Sequence, residues 1–151
     1  MTVHHLMLFL HVLGVTVWVG GMAFAWGCLR PAAMQLPPAQ RLPLWVASFS
    51  RFFPLVWAAV ALIALSGIFM LLETGFARAP RAWHAMLLTG AVMMGVFASI
   101  WFGPWVRLQR AVRVEDWASG AVALNAIRQR VAFNLALGVV TIAVATLGLG
   151  L

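Results

Sequence analysis

His4, Met7 and His11 are spaced by three and four residues, the interval that lays side chains along one face of a helix. Gly14, Trp18 and Met22 continue that stripe. His5 stands about 100° away around the same helix, where lipid headgroups or water would meet it. His84 opens a second apolar stretch, with Met86 two residues on, and Met70 and Glu73 lie at the end of a third. An imidazole inside an apolar run is costly and usually functional, which singles out His11 and, nearer an end, His84. Imidazole with thioether suits copper, and soft thioether favours Cu(I). On that reading His11 and His84 bind the metal, Met7, Met70 and Met86 are secondary ligands, and Met22 and Cys28 form an exit path. Two histidines on neighbouring helices also suit the axial positions of haem b, with Gly14 and Gly90 leaving room for the macrocycle. His11 lies about 12 Å and His84 about 6 Å below the starts of their helices. Copper tolerates that stagger of about one turn better than haem does.

The elements that must hold these side chains are membrane helices. Of 151 residues, 64% are hydrophobic and 9% charged, too few polar groups to cover a soluble domain of this size. Four apolar runs stand out, at about residues 3–26, 52–72, 82–101 and 131–151. A membrane helix needs about 20 residues, so the chain reads as a single domain over residues 1–151, an all-α integral membrane protein forming a four-transmembrane-helix bundle. The first run lacks the basic flank of a cleaved signal peptide. Pro31, Pro37, Pro38 and Pro43 are expected to stop the first helix and keep the first loop extended. Gly75 and Pro80 punctuate the second loop. Residues 107–130 are expected to be helical extensions broken near Ser119–Gly120. The first and third helices each begin near a histidine and end in a basic segment, a pattern suited to two parallel hairpins. Gly138, Gly148 and Gly150 suggest close packing of the fourth helix.

The net charge of +7 comes from ten arginines against three acids. Eight of the arginines fall in the first and third loops, which the positive-inside rule assigns to the cytoplasm. Both termini and all four histidines then face outward (N-out, C-out), in a bacterial inner membrane. Arginines at the ends of apolar runs orient a membrane protein, so nucleic-acid binding is not expected. One cysteine excludes an intrachain disulfide and a Cys-x-x-Cys site. No Ser-His-Asp set, phosphate loop or paired carboxylate supports hydrolysis or phosphoryl transfer. Ser66, Thr89, Ser99, Asn134 and Thr141 are expected to bond backbone carbonyls or neighbouring helices.

The stretch His11-Val-Leu-Gly-Val-Thr-Val-Trp-Val-Gly-Gly-Met22, followed by Leu29-Arg30-Pro31-Ala32, resembles the start of CopD-family (copper resistance protein D) membrane proteins. Arg51-Phe-Phe-Pro54, Ser66-Gly67, His84-Ala-Met86 and Asn134-Leu-Ala-Leu-Gly138 continue the likeness in order. The resemblance implies copper uptake across the inner membrane beside a periplasmic copper-binding partner of the CopC kind. It implicates His11 and His84 as metal-handling positions and His4, His5 and Met7 as entrance residues. A more distant likeness is to HemJ-type protoporphyrinogen oxidases, which bind haem and carry a His-Ala-Lys in their third helix. Here that triplet is His84-Ala85-Met86 and the chain has no lysine, which counts against the oxidase activity and leaves haem binding open.

The leading expectation is a copper-binding, copper-transfer membrane protein with a His/Met site in the outer half of the bundle, handling metal rather than catalysing a reaction. The alternative is a bis-histidine haem b protein, which would be an oxidoreductase. A third reading is a cofactor-free assembly subunit. A homodimer would add packing that four short helices lack.

Overall fold

The computed structural model describes residues 3–147, and all regular structure among them is helical. Gly148 and Gly150, expected to pack closely, and the end of the fourth run therefore lie outside the described residues. Helix α1 (Val3–Phe24) runs through a π-helical turn (Ala25–Leu29) into the short α2 (Arg30–Ala33). Helix α3 spans Pro38–Thr74, α4 Arg81–Phe102, α5 Pro104–Arg113 and α6 Trp117–Thr146. Four stretches are long and apolar enough to cross a membrane: Val3–Ala33, Pro38–Thr74, Arg81–Arg113 and Trp117–Thr146.

The helices begin and end where expected at the histidine-bearing end, and run well past expectation at the other. Gly75, at φ +85°, terminates α3, and Pro80 precedes α4. At the arginine end the first loop shrinks to residues 34–37, and the third to residues 114–116. Proline does not stop the first helix. The backbone N–H of Arg30 bonds the Ala25 carbonyl, five residues back. That wider turn contains Gly27, whose carbonyl the Pro31 ring would otherwise crowd. Pro43 lies inside α3, not in a loop. The 37 residues of α3 span about 55 Å at helical rise, more than the roughly 30 Å hydrocarbon layer, so its arginine end projects beyond it.

Residues 107–130 are helical apart from 114–116, so the expected break comes earlier than Ser119–Gly120. Glu115 adopts φ +56°, and Asp116 caps α6 by accepting the Ser119 backbone N–H at 3.0 Å. Bonds from the Ser119 hydroxyl and its N–H hold the Asp116 carboxyl below its usual value. Hydropathy alone ended the third run near residue 101 because arginines begin at Arg107. A helix survives there because Trp105, Leu108 and Ala111 repeat every three residues and are buried, while Arg107, Arg110 and Arg113 take the exposed face.

Helix α1 packs chiefly on α3, and α6 on α4 and α5, so the bundle is two hairpins side by side. A shared aromatic core near the arginine end joins them. Phe53 stacks on Phe49 at 4.8 Å and meets Trp105 at 5.2 Å and Phe97 at 5.5 Å edge-on. Such pairs add about 0.5–1.5 kcal/mol each beyond the area they bury. Polar groups tie α4 to α6: Asn134 donates to the Met93 carbonyl at 3.0 Å, and Thr141 to Thr89 at 2.9 Å. Between helices in lipid, such bonds and close packing replace the hydrophobic drive of water.

Candidate functional site

The α1 stripe of His4, Met7 and His11 faces a matching stripe on α3. His4 Nδ1 lies 2.7 Å from Glu73 Oε2, and His11 Nδ1 lies 3.1 Å from Ser66 Oγ. Seven residues separate each set, on antiparallel helices, so both contacts belong to one register. Met7 on α1 and Met70 on α3 occupy the positions between them. Met70 is 8% exposed and Met7 half-buried. Close approach is what permits this register. Ile63 fills the space a side chain at Gly14 would need, its Cγ1 only 2.8 Å from that position. A Cβ on Gly67 would come within 3.2 Å of His11 Cε1, so Gly67 makes the floor on which the imidazole lies.

Hydrogen-bond chemistry fixes which ring nitrogen is available. The Ser66 hydroxyl donates to the Leu62 carbonyl at 2.5 Å, so Ser66 Oγ accepts from His11, and Nδ1 carries the proton. The Glu73 carboxylate likewise accepts from His4 Nδ1. His84 Nδ1 donates to the Pro80 carbonyl at 3.2 Å. In the neutral ring, this places the lone pair on Nε2 in all three histidines. A metal-ligating histidine is typically held this way, with its second nitrogen donating to a carboxylate, carbonyl or hydroxyl.

The structure brings His4, Met7 and His11 together with Ser66, Met70 and Glu73. His5 is exposed and meets His4 edge-on at 6.2 Å. His84 sits in the first turn of α4 against the edge of Phe76 at 4.5 Å. No hydrogen bond or ring contact joins His84 to His11 among the described residues. No three His, Cys, Asp or Glu side chains converge there either, so an ion bound on the α1–α3 stripe would rely on thioethers. Met22 packs inside the core and Cys28 is exposed in the π-helical turn.

The sequence predicts that Ser66 bonds a backbone carbonyl or a neighbouring helix, and the residue does both, but the sequence does not single out His11 as the partner. The signal was present: Ser66, Met70 and Glu73 are spaced by four and three residues, the mirror of the α1 stripe.

The family model described as Copper resistance protein D matches residues 46–147. The match takes in Ser66, Met70, Glu73 and His84 and leaves out α1 with His4, Met7 and His11. No curated protein and no solved structure matches the chain. Four spanning helices and a family match over well over half of its length lead to one conclusion: this chain belongs to the CopD family of membrane proteins.

Proposed function

We propose that the protein binds Cu(I) on the α1–α3 stripe and passes it to or across the membrane. The observation that carries this reading is the shared posture of the histidines: Nδ1 engaged, at His4 and His11 on either side of Met7, which leaves the lone pair of the neutral ring on Nε2. Nε2 donors with thioethers make a soft, low-coordinate site, which suits Cu(I) over Zn²⁺ or harder cations. His11 would be the internal ligand, and Met7 and Met70 its thioether partners. His4, held by Glu73 at the end of the helix, would receive the ion first, with His5 beside it. His84, on the second hairpin, would be a separate entrance or relay position. The arginine distribution supports an N-out, C-out orientation in a bacterial inner membrane, with this end outward. A periplasmic copper carrier of the CopC kind would then meet it.

Haem b bound by His11 and His84 has less support. The two residues lie on different hairpins, each against its own neighbours, and Ile63 fills the room at Gly14. The experiment that separates the readings is an absorption spectrum of the purified protein, oxidised and reduced, with metal analysis of the same sample. Copper handling predicts a colourless protein whose copper content falls in His11→Ala. A Soret band that shifts on reduction, with stoichiometric iron, would replace it with the haem reading.

A further inference from the structure

At the end of the bundle opposite the histidines, three arginines from three helices converge: Arg30 on α2, Arg41 on α3 and Arg128 on α6. All three are half-buried, and the charges of Arg30 and Arg41 repel that of Arg128. Tryptophans accompany them at helical spacing. Arg30 lies 4.4 Å over the ring of Trp26, four residues before it, and Arg128 lies 5.6 Å over the ring of Trp45, four residues after Arg41. Arg30, Arg128 and both indoles line a small cavity with Ala25, Phe49, Ile127 and Val131.

Several buried donors in this cluster have no acceptor. Nε of Arg30, Nε of Arg41, Nε and Nη2 of Arg128, and Nε1 of Trp45 are buried without a hydrogen-bond partner among the described residues. The ion pair found among those residues is His4–Glu73, at the far end. A buried donor without an acceptor is costly, and here each of three half-buried arginines contributes at least one. Membrane orientation explains the sign of the charge but not the burial. Arg51, Arg107, Arg110 and Arg113 satisfy the positive-inside rule with exposed side chains.

We propose that this cluster is a binding site for a phosphate group, donated either by the headgroup of an anionic phospholipid or by free phosphate. Its oxygens can take several guanidinium forks at once, and arginine is the side chain whose planar geometry matches them. The indole N–H of Trp45 supplies a further donor. The apolar wall of Ala25, Phe49, Ile127 and Val131 suits the first carbons of a lipid. The π-helical turn contributes by placing Trp26 on the cavity, one turn before Arg30. This inference does not rest on the copper reading.

The test is native mass spectrometry of the detergent-purified chain with equal amounts of phosphatidylglycerol and phosphatidylcholine, alongside thermal melts in inorganic phosphate and in chloride at matched ionic strength. The proposal predicts retention of phosphatidylglycerol over phosphatidylcholine by about tenfold or more, or a rise in melting temperature specific to phosphate, since hydrogen bonds to charged groups are each worth about a tenfold factor. The first outcome identifies the lipid as the source and the second the free ion. Arg41→Gln and Arg128→Gln should abolish the preference, while Arg113→Gln, at an exposed position, should keep it. Arg128→Lys, which keeps charge but not the fork, should retain part of it. Equal retention of the two lipids with no phosphate effect would overturn the proposal, and that wild-type comparison needs no variant to fold. Undiminished binding in a folded Arg41→Gln, Arg128→Gln double variant would overturn it equally.

Discussion

At the histidine end of the bundle, the buried side chains are few, the polar groups are paired, and contacts run mainly within a hairpin. Among the described residues of α3 from Ser66 to Thr74, only Ser66 and Met70 are buried, and His4, His11 and His84 each have a defined acceptor. At the arginine end, Leu42, Trp45, Phe49, Phe53, Phe97 and Trp105 form a dense core joining both hairpins, flanked by Arg30, Arg41 and Arg128, each with a buried nitrogen that lacks an acceptor. On the copper reading proposed above, the contrast separates stability from metal handling. One end holds the four helices together. The other carries oriented imidazoles on helices that need little packing around them, so ligands there can exchange without dismantling the fold. A carrier needs that division, because a site built into the main core would release its ion only by disturbing it.

The largest effect should come from the packed end. Phe53→Ala removes a ring that touches Phe49, Phe97, Trp101 and Trp105, and should destabilise the bundle by about 3–5 kcal/mol in chemical denaturation from detergent. The folded fraction should still bind copper. If Phe53→Ala abolished binding without unfolding the protein, the two ends would not be separable. Next comes His11→Ala, which should weaken Cu(I) binding by about tenfold to a hundredfold, as removing a ligand loses at least what removing its orienting partner does, while shifting the melting temperature little. Ser66→Ala leaves the imidazole in place but removes the acceptor that sets its tautomer, and should cost about tenfold in Cu(I) affinity. A competition titration against a Cu(I) chelator measures both. Gly67→Ala pushes a methyl against His11 Cε1 and should cost less than Ser66→Ala, because the ring can shift by a few tenths of an ångström.

The smallest effect is expected at Asp116, on the arginine end but away from its core. Its carboxyl is held below the ordinary carboxylate value, so the cap adds stability above about pH 4 and loses it as pH falls through the lower folded value. Asp116→Ala should therefore lower the melting temperature slightly at pH 7 and converge with wild type at strongly acid pH. A constant difference across that range would show that the charge of the cap is immaterial.

Much of the architecture was legible because lipid imposes strong constraints on a chain. Twenty apolar residues per crossing, a glycine at a positive-φ turn and a proline before a helix were enough to place the ends near Gly75 and Pro80. The arginine end was harder. Hydropathy stops at Arg30 and Arg107, but helix formation does not, because an amphipathic segment such as Trp105, Leu108 and Ala111 can continue a helix with one wet face. Proline marks a helix end less reliably for a related reason: the π-helical turn absorbs Pro31, and α3 accommodates Pro43. For the candidate site, spacing alone put His4, Met7 and His11 on one face. It did not say which helix they would meet. The partnership of His11 with Ser66 depends on the hairpin register, a property of two helices that no single run displays. The arginine cluster was invisible for the same reason, since Arg30, Arg41 and Arg128 come together only when three helix ends do.

The central claim is that His11 presents Nε2 to copper from the α1–α3 face. The most direct test is a Cu(I) competition titration of the detergent-purified protein, wild type against His11→Ala, with His84→Ala beside them. The account predicts about one tightly bound Cu(I) per chain, lost or weakened by about tenfold or more in His11→Ala and less affected in His84→Ala. Equal Cu(I) affinity in wild type and His11→Ala would contradict it.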